Sequence, residues 1–322
     1  MGKKNLHFVF QAYLKKWSTK YSKIINNHEE DHFYKLYRVY KANEKYQYDN
    51  PDVRDIASEL YFCRLQLLNE CERNFIRQNI NKNDWDLNNE TFVAIRNMLE
   101  KYELIKTLSL VSFDNQTYKS IFDEKMEIIE SCITDLSEEY FIETEERLSK
   151  LIGRVEVDES YVIDKDNVGI YTKDILTQYF RTRKSKKLLE QGLRKIGINE
   201  KMRIDAIFPY LVAIYSLNTT KGLLANGINN ITILVNDSNK KFITSDSPVV
   251  FVKEDQSYIY YPIGPKYALL INKSTEKWKH ISNADIYNLL VINEFDEELY
   301  MFNEEEAKNY CKLLNEKKLC QR

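Results

Sequence analysis

The sequence predicts an α+β fold, with a mostly helical N-terminal and central region followed by a C-terminal antiparallel β meander and terminal helices. Eight glycines and five prolines among 322 residues are few, which favours long regular elements over a loop-rich β fold. Apolar residues recur at helical spacing through about 52–227, and short β-prone runs fill about 228–275. We therefore expect one α+β domain spanning 1–322, which ends in helices over about 284–317.

The first 60 residues contain several short patterns. Residues 9–17 can form two helical turns, and 33–40 alternate aromatic and β-branched residues as a strand does. A turn is expected at 41–44. The stretch 49–52 is typical of a helix start, and the helix would carry Ile56, Leu60 and Leu67 on one face.

The middle of the chain has the periodicity of helices. A periodic run covers 91–110, and an apolar stripe from Tyr118 to Leu151 predicts a long helix that stops at Gly153. Thr172 can cap the next helix, and another over about 201–224 would bend at Pro209. The β-prone runs and terminal helices that follow are expected at 231–235, 241–244, 249–252, 257–261, 267–271, 284–292 and 304–316.

Composition is typical of a soluble globular protein, with 43% hydrophobic and 30% charged residues. The net charge of -2 gives no overall attraction to nucleic acid, so such a partner would need a local basic patch. The sequence has no 18-residue apolar run, so we expect no membrane contact. Five cysteines without a Cys-x-x-Cys pair favour free thiols and a cytoplasmic location.

Three polar motifs stand far apart in the chain. They are HFVFQAYLKKW at 7–17, QYFRT at 178–182 and FITSDSPV at 242–249. Together they resemble the bacterial domain-of-unknown-function family 4238, whose patterns are HFVxQxYLKx(F/W), QxxRT and FITSDxPV. Phe10 departs from this resemblance, because many relatives have proline there. The family has no settled activity, so the resemblance implies which residues to compare but no reaction.

His7 is the first candidate catalytic residue, because its imidazole can exchange a proton near neutral pH. Gln11 lies four residues later, so both side chains would share one helix face. Lys15 belongs to the same motif and is a candidate for substrate binding. The alternative is a histidine packed at the N-terminal edge and bonded to a backbone carbonyl.

Asp246 is the second candidate, as a general base or metal ligand at the end of a strand. The alternative is a turn in which this carboxylate accepts hydrogen bonds from backbone amides two residues later in the chain. Ser245 is a weaker candidate for a nucleophile, because no Gly-x-Ser-x-Gly sequence surrounds it. Thr244 is a candidate for substrate binding in the same motif.

Arg181 is the third candidate and could hold a phosphate or carboxylate with two hydrogen bonds. Thr182 beside it is a further candidate for substrate binding. Four more cations follow Arg181 closely in the sequence. They could bind along a nucleic-acid backbone, or they could form a solvated helix face: Arg183, Lys184, Lys186 and Lys187. The functional alternative requires Arg181 to point inward while the lysines point outward.

Two other signals carry less weight. The tract 28–32, HEEDH, lacks the spacing that puts two imidazoles on one helix face, so we expect a solvated loop and name no metal ligands. The tyrosines between 34 and 48 could stack on bases, but half-buried strand aromatics explain them equally well.

Three functional hypotheses follow. The first is a nuclease or other phosphoester-directed hydrolase, with a divalent cation as a candidate cofactor and a defence or toxin-like role. The second is a non-catalytic module that binds nucleic acid, a nucleotide or a protein, which could be another copy of the chain. In the third, His7, Arg181 and Asp246 belong to a buried polar network that holds three parts of the chain together.

Overall fold

The computed structural model contains both sheets and long helices. It describes residues 5–25, 28–60, 62, 63, 65, 66, 68–79, 93, 100, 116–195, 197, 202–252 and 258–316. Along the first part of the chain the strands are Asn5–His7 (β1), Thr19–Ile25 (β2), His28–Lys35 (β3), Tyr37–Ala42 (β4), Lys45–Asp49 (β5) and Ser58–Leu60 (β6). Later strands are Asn230–Asn236 (β7), Thr244–Ser245 (β8), Val250–Val252 (β9), Tyr258–Pro262 (β10), Tyr267–Asn272 (β11), Trp278–Ile281 (β12) and Glu298–Met301 (β13).

The helices lie mainly between the two groups of strands. They are Gln11–Leu14 (α1), Glu70–Asn79 (α2), Gln116–Val157 (α3), Lys165–Phe180 (α4), Arg183–Lys195 (α5), Ile204–Ala225 (α6), Asp285–Glu294 (α7) and Glu304–Asn315 (α8). Single 3-10 turns occupy Lys15–Trp17 and Val53–Asp55. No helix in the part of the chain that the structure describes is long and apolar enough to cross a membrane.

The predicted helical N-terminal region is wrong, because β1 to β6 all lie within the first 60 residues. The helix expected to carry Ile56 and Leu60 does not form, since Ser58–Leu60 pairs antiparallel with Asn5–His7. Helical spacing of a few apolar residues could not reveal this, because the pairing partner lies about 50 residues earlier in the chain. The expected turn at 41–44 is confirmed, with positive φ at Asn43 and Glu44 as a two-residue hairpin requires.

The predicted C-terminal meander is also wrong in its topology. Its strands form a five-stranded sheet in the order β12-β7-β11-β10-β9, and β12 runs parallel to β7. Strand β8 does not join this sheet. It pairs with β13, which in turn pairs with β4. The resulting four-stranded sheet, β5-β4-β13-β8, therefore joins the two ends of the chain.

Strand β10 separates two parts of the hydrophobic core, because its side chains alternate between the two faces of the sheet. Ile259 and Tyr261 pack into the cluster that holds the N-terminal segment and helices α3 and α4. Tyr260 points the other way, into the cluster formed with α7 and α8. Residues near the two termini therefore pack on opposite faces of the five-stranded sheet.

Several expected helix boundaries differ from those observed. Helix α3 continues past Gly153 to Val157, and α4 begins at Lys165, so Thr172 is a buried interior residue and not a cap. Pro209 lies inside α6, one turn after its start. The run expected at 91–110 lies outside the described residues apart from 93 and 100. The tract at 28–32 forms the first part of strand β3, so the loop expected there is wrong.

A buried carboxylate joins helices α2 and α6. Asn69 and Glu72 form a capping box, in which each side chain accepts a hydrogen bond from the backbone N–H of the other residue, at 2.9 and 2.8 Å. The Glu72 carboxylate also accepts hydrogen bonds from the backbone and guanidinium of Arg203, the residue that precedes α6. One side chain thus fixes the start of two helices.

We expect Glu72→Ala to lower the free energy of unfolding by about 2 kcal/mol, because a helix cap and the Arg203 contacts are lost together. The matched control is Glu70→Ala, which removes an exposed carboxylate from the same helical turn and is expected to change stability by no more than about 0.5 kcal/mol. Chemical denaturation measures both variants. Equal effects of the two substitutions would contradict this role of Glu72.

Candidate functional site

The N-terminal motif, the helical middle and the late motif meet in one set of buried hydrogen bonds, which we call the N-terminal cluster: Phe8, Tyr13, Trp17, Gln178 and Thr244. The Tyr13 hydroxyl lies 2.5 Å from the Thr244 hydroxyl and donates to the Pro262 carbonyl at 2.7 Å. Tyr13 also stacks on Tyr261, with ring centroids 5.2 Å apart. The first helix is therefore joined directly to strands β8 and β10.

Two further side chains of this cluster hold backbone carbonyls. The Trp17 indole donates to the Phe242 carbonyl at 2.9 Å, and the Gln178 amide donates to the Phe8 carbonyl at 2.6 Å. Gln178 belongs to the QYFRT motif in α4. Through this bond, the helical middle fixes the backbone immediately after His7.

His7 is half-buried and is oriented by two neighbours. Its Nδ1 lies 3.1 Å from the Ile56 carbonyl, and the Gln11 amide nitrogen lies 2.6 Å from its Nε2. A carbonyl oxygen can only accept, so Nδ1 carries the proton and Nε2 accepts from Gln11. The imidazole is consequently in its neutral form, with Nε2 as the basic nitrogen.

Lys15 lies one turn beyond Gln11 on the same helix face and is also half-buried. Its ammonium sits 4.7 Å from the centroid of the Tyr34 ring. Among the described residues, no carboxylate pairs with this ammonium. We call His7, Gln11 and Lys15 the polar row.

Arg181 points inward, as the functional hypothesis requires, and only 4% of the residue is exposed. One guanidinium nitrogen donates to Glu145 at 2.5 Å, and the guanidinium carbon lies 4.8 Å from the centroid of the Phe141 ring. Its buried Nε–H has no hydrogen-bond partner among the residues that the structure describes. Arg181 thus neutralises a carboxylate of α3, and that ion pair would have to open before the guanidinium could clamp a substrate.

The cations that follow Arg181 are all ion-paired. Arg183 binds Glu59 at 2.9 Å and Glu297 at 3.4 Å. The three lysines pair with acids of other elements: Lys184 with Glu294 at 2.5 Å, Lys186 with Asp205 at 2.7 Å, and Lys187 with Asp296 and Glu297 at 2.7 and 2.8 Å. Because each positive charge already faces a carboxylate, the tract gives little support to tracking of a nucleic-acid backbone.

Thr182 has a local structural role at the junction of α4 and α5. Its hydroxyl donates to the Tyr179 carbonyl at 3.0 Å and accepts from the Ser185 backbone N–H at 3.2 Å. These contacts close one helix and begin the next, as an N-cap does.

Asp246 is 2% exposed and holds the turn that precedes β13. Its carboxylate accepts hydrogen bonds from the backbone N–H groups of Asp296, Glu297 and Glu298, at 3.0, 2.8 and 3.2 Å. The pKa of this carboxyl is raised to about 7, mainly by burial; the backbone bonds from Asp296 and Glu297 oppose the shift, and the charges of Asp296 and Glu298 contribute to it. Asp246 therefore has a structural role, but the local turn expected for it is wrong, because its partners lie about 50 residues later and the bond within the motif is made by Ser245.

The two residues before Asp246 are fully buried as well. The Ser245 hydroxyl accepts from the Ser247 backbone N–H at 3.1 Å, and the Thr244 hydroxyl meets Tyr13. Both hydroxyls are therefore already hydrogen-bonded inside the fold. The described residues contain no group of three or more His, Cys, Asp or Glu side chains placed to hold a metal ion.

The predicted site residues therefore divide into two sets. Thr182, Thr244, Ser245 and Asp246 make buried structural hydrogen bonds, and Arg181 is buried in an ion pair. The polar row is half-buried, but it is not the single helix face that the spacing predicted, because His7 ends β1, Gln11 begins α1 and Lys15 follows the end of that helix. Tyr13 and Gln178, which hold these parts together, were not among the predicted site residues, although both stand within the quoted motifs.

The protein thus has an α+β fold in which the three sequence motifs meet through buried hydrogen bonds. A family model described as a protein of unknown function, DUF4238, matches residues 5–310, so the chain belongs to this family and the resemblance is confirmed. Neither a search of curated proteins nor a search of solved structures found a match. The family assignment carries no activity.

We expect Tyr13→Phe to lower the free energy of unfolding by about 1–3 kcal/mol, because the Thr244 hydroxyl and the Pro262 carbonyl lose a buried partner. A double-mutant cycle with Thr244→Val should show a favourable coupling energy of about 1 kcal/mol. Tyr48→Phe, at a more exposed position, is the control. A coupling energy of zero would refute the hydrogen bond.

The raised pKa of Asp246 has a defined consequence for stability. An unfolded Asp titrates at 3.8 and the folded one at about 7, so the folded state binds more protons between these values. The contribution of this group is fully present below pH 4 and is lost as pH rises through 7, by up to about 4 kcal/mol.

Asp246→Asn cannot titrate, so its unfolding free energy should fall less than that of the wild type between pH 4.5 and 7.5. Denaturation at both pH values measures the difference, with Asp55→Asn at an exposed position as the control. Parallel pH profiles for the wild type and Asp246→Asn would contradict the shift.

Proposed function

We propose that the protein is a phosphoester-directed hydrolase whose reactive groups are those of the polar row. The observation that carries this proposal is an oriented, neutral imidazole beside a cation that has no carboxylate partner in the described structure. Nuclease activity is the specific form we favour, since nucleic acids and nucleotides are abundant phosphoesters.

His7 is suited to act as a general base. The Ile56 carbonyl accepts a hydrogen bond from Nδ1–H, and the single lone pair of Nε2, which accepts from Gln11 in this structure, would take a proton from water once the Gln11 amide rotates away. The Ile56 carbonyl orients the ring by accepting from Nδ1–H, as a carboxylate orients the ring in other histidine-based sites. The Ile56 carbonyl thus helps to position the base.

Gln11 is suited to keep a hydrogen bond to His7 in both protonation states of the imidazole. Its amide nitrogen donates to the neutral imidazole, and after rotation of the amide its oxygen could accept from the imidazolium. The same residue can thus stabilise His7 before and after proton transfer. A carboxylate at this position would instead favour the charged form only.

Lys15 would attract the substrate phosphate. Gln11 contacts the His7 imidazole, and Lys15 follows Gln11 by one helical turn of about 5.4 Å, so the cation lies on the same side of the first helix as the residue that bonds the imidazole. The Tyr34 ring beneath the ammonium presents an aromatic surface beside it. This arrangement supports recognition of an anion next to an aromatic base.

Asp246 and Arg181 have no part in this mechanism. The carboxylate of Asp246 is held by three backbone amides, and the guanidinium of Arg181 is paired with Glu145. The reactive groups therefore come from the N-terminal motif at 7–17 alone, and not from all three motifs.

We expect purified protein to cleave at least one member of a panel of single-stranded RNA, tRNA, single- and double-stranded DNA and nucleotides, assayed with and without magnesium or manganese. His7→Ala should lose about 10²–10⁴-fold in rate, as for removal of a general acid–base group. Lys15→Ala should raise KM more than it lowers kcat, because Lys15 acts in binding.

The matched control is Lys16→Ala, since Lys16 is the next residue and is paired with Glu156. It should leave cleavage unchanged, and circular dichroism would verify that every variant is folded. Failure of folded wild-type protein to cleave any substrate in the panel would overturn the hydrolase proposal, as would full activity of His7→Ala.

Non-catalytic binding is the second candidate function, and Lys15, which lies above Tyr34 and meets no carboxylate in the described part of the chain, also favours it. Fluorescence anisotropy with the same nucleic acids separates the two. Binding that is lost in Lys15→Ala but kept in His7→Ala, without cleavage, would identify a recognition module.

A further inference from the structure

A cleft opens between helices α4, α5 and α6, away from the polar row. Its volume is about 240 Å³. We call it the aromatic cleft, and it is lined by Tyr179, Phe180, Ser185, Leu188, Leu189, Phe208, Leu211, Val212 and Tyr215. Leu188 is 52% exposed, a large apolar side chain left in water beside the cleft.

The lining contains no charged side chain. The Lys186 ammonium lies 5.6 Å from the centroid of the lining Phe208 ring but is neutralised by Asp205, and Lys184 is neutralised by Glu294. A charged ligand would lose its hydration in this cleft without gaining a partner. The charge pattern therefore selects an uncharged occupant.

The aromatic rings of the wall are inclined to one another. Phe180 meets Tyr179 at 5.0 Å and 82°, and Tyr215 at 5.8 Å and 54°. Rings at such angles offer both edges and faces, which is the arrangement that a further planar ring extends. An aromatic occupant fits this wall better than a flexible chain does.

Two hydroxyl groups are available to a ligand. Tyr179 and Tyr215 are half-buried, and burial raises the pKa of both phenols, so both remain neutral. Neither hydroxyl has a hydrogen-bond partner among the described residues. The Ser185 hydroxyl, in contrast, already donates to the Tyr179 carbonyl at 2.8 Å.

We propose that the aromatic cleft is a binding site for a small uncharged aromatic molecule of one or two rings that carries one polar group, such as an indole or a phenol. An apolar cavity of about 150 Å³ accommodates a benzene-sized ring, so a volume of 240 Å³ has room for this class. The proposal is independent of the hydrolase proposal, because the cleft shares no residue with the polar row.

Calorimetric titration of the full chain with indole tests the site. We expect a Kd at or below about 1 mM, as befits a ligand of this size. Tyr215→Phe should weaken binding about 3–5-fold through loss of one hydrogen bond, whereas Tyr48→Phe, outside the cleft, should leave the Kd unchanged. Leu189→Trp, which fills the cleft, should weaken binding more than tenfold.

Indole-3-acetate and decanoate are the comparison ligands, one charged and one a flexible chain. Both should bind at least tenfold more weakly than indole. The proposal is overturned if folded wild-type protein does not bind indole below about 10 mM, if Leu189→Trp and Tyr215→Phe both bind as the wild type does, or if decanoate binds more tightly than indole.

Discussion

The hydrogen bond between Tyr13 and Thr244 joins residues 231 positions apart, and much of the structure depends on it. Thr244 lies in β8, the strand that pairs with β13 outside the five-stranded sheet. Its hydroxyl can be buried only because Tyr13 satisfies it. Since the same Tyr13 hydroxyl donates to Pro262 in β10, one side chain holds the two sheets at a fixed distance from the first helix.

A second constraint begins at Asp246. Its carboxylate fixes the backbone of 296–298, and the side chains of that segment then face α5. Lys187 pairs with Asp296 and Glu297, and Arg183 reaches both Glu297 and Glu59. Glu59 lies in β6, the strand that pairs with the segment carrying His7. A buried carboxylate thus organises a series of ion pairs that ends beside the polar row.

The sequence permitted some of these features to be predicted and concealed others for physical reasons. Long periodic helices and the hairpin turn at Asn43 and Glu44 follow from local patterns, and were predictable. Strands β1 and β6 have three residues each, too few for a period-two pattern, and they form only because each satisfies the backbone of the other. The route of β8 likewise depends on partners far away in sequence.

At the candidate site, too, some features could be predicted from local sequence and others depend on distant partners. The motifs located the residues that meet in the fold, but motif membership could not separate a structural polar group from a reactive one. Thr182, Ser245 and Asp246 all satisfy backbone N–H groups of their own surroundings. Lys15 stands apart, because its charge is met by an aromatic ring and not by a carboxylate. Whether a polar group is already satisfied depends on residues distant in sequence, so only the fold can distinguish the two.

The free-energy cost of burying a polar group without a partner distinguishes the polar row and the aromatic cleft from the rest of the motif residues. In a folded interior, a polar group that has its partner contributes to stability, and removing it leaves the partner unsatisfied. The motif residues inside the N-terminal cluster are explained in full by that requirement. The Lys15 ammonium, which no carboxylate of the described residues neutralises, and the two phenols of the cleft are not, since none of these groups is needed to satisfy a buried group. His7 donates to the Ile56 carbonyl but is only half-buried, so its ring keeps contact with solvent. Groups that the fold does not require are the ones available to bind or transform another molecule.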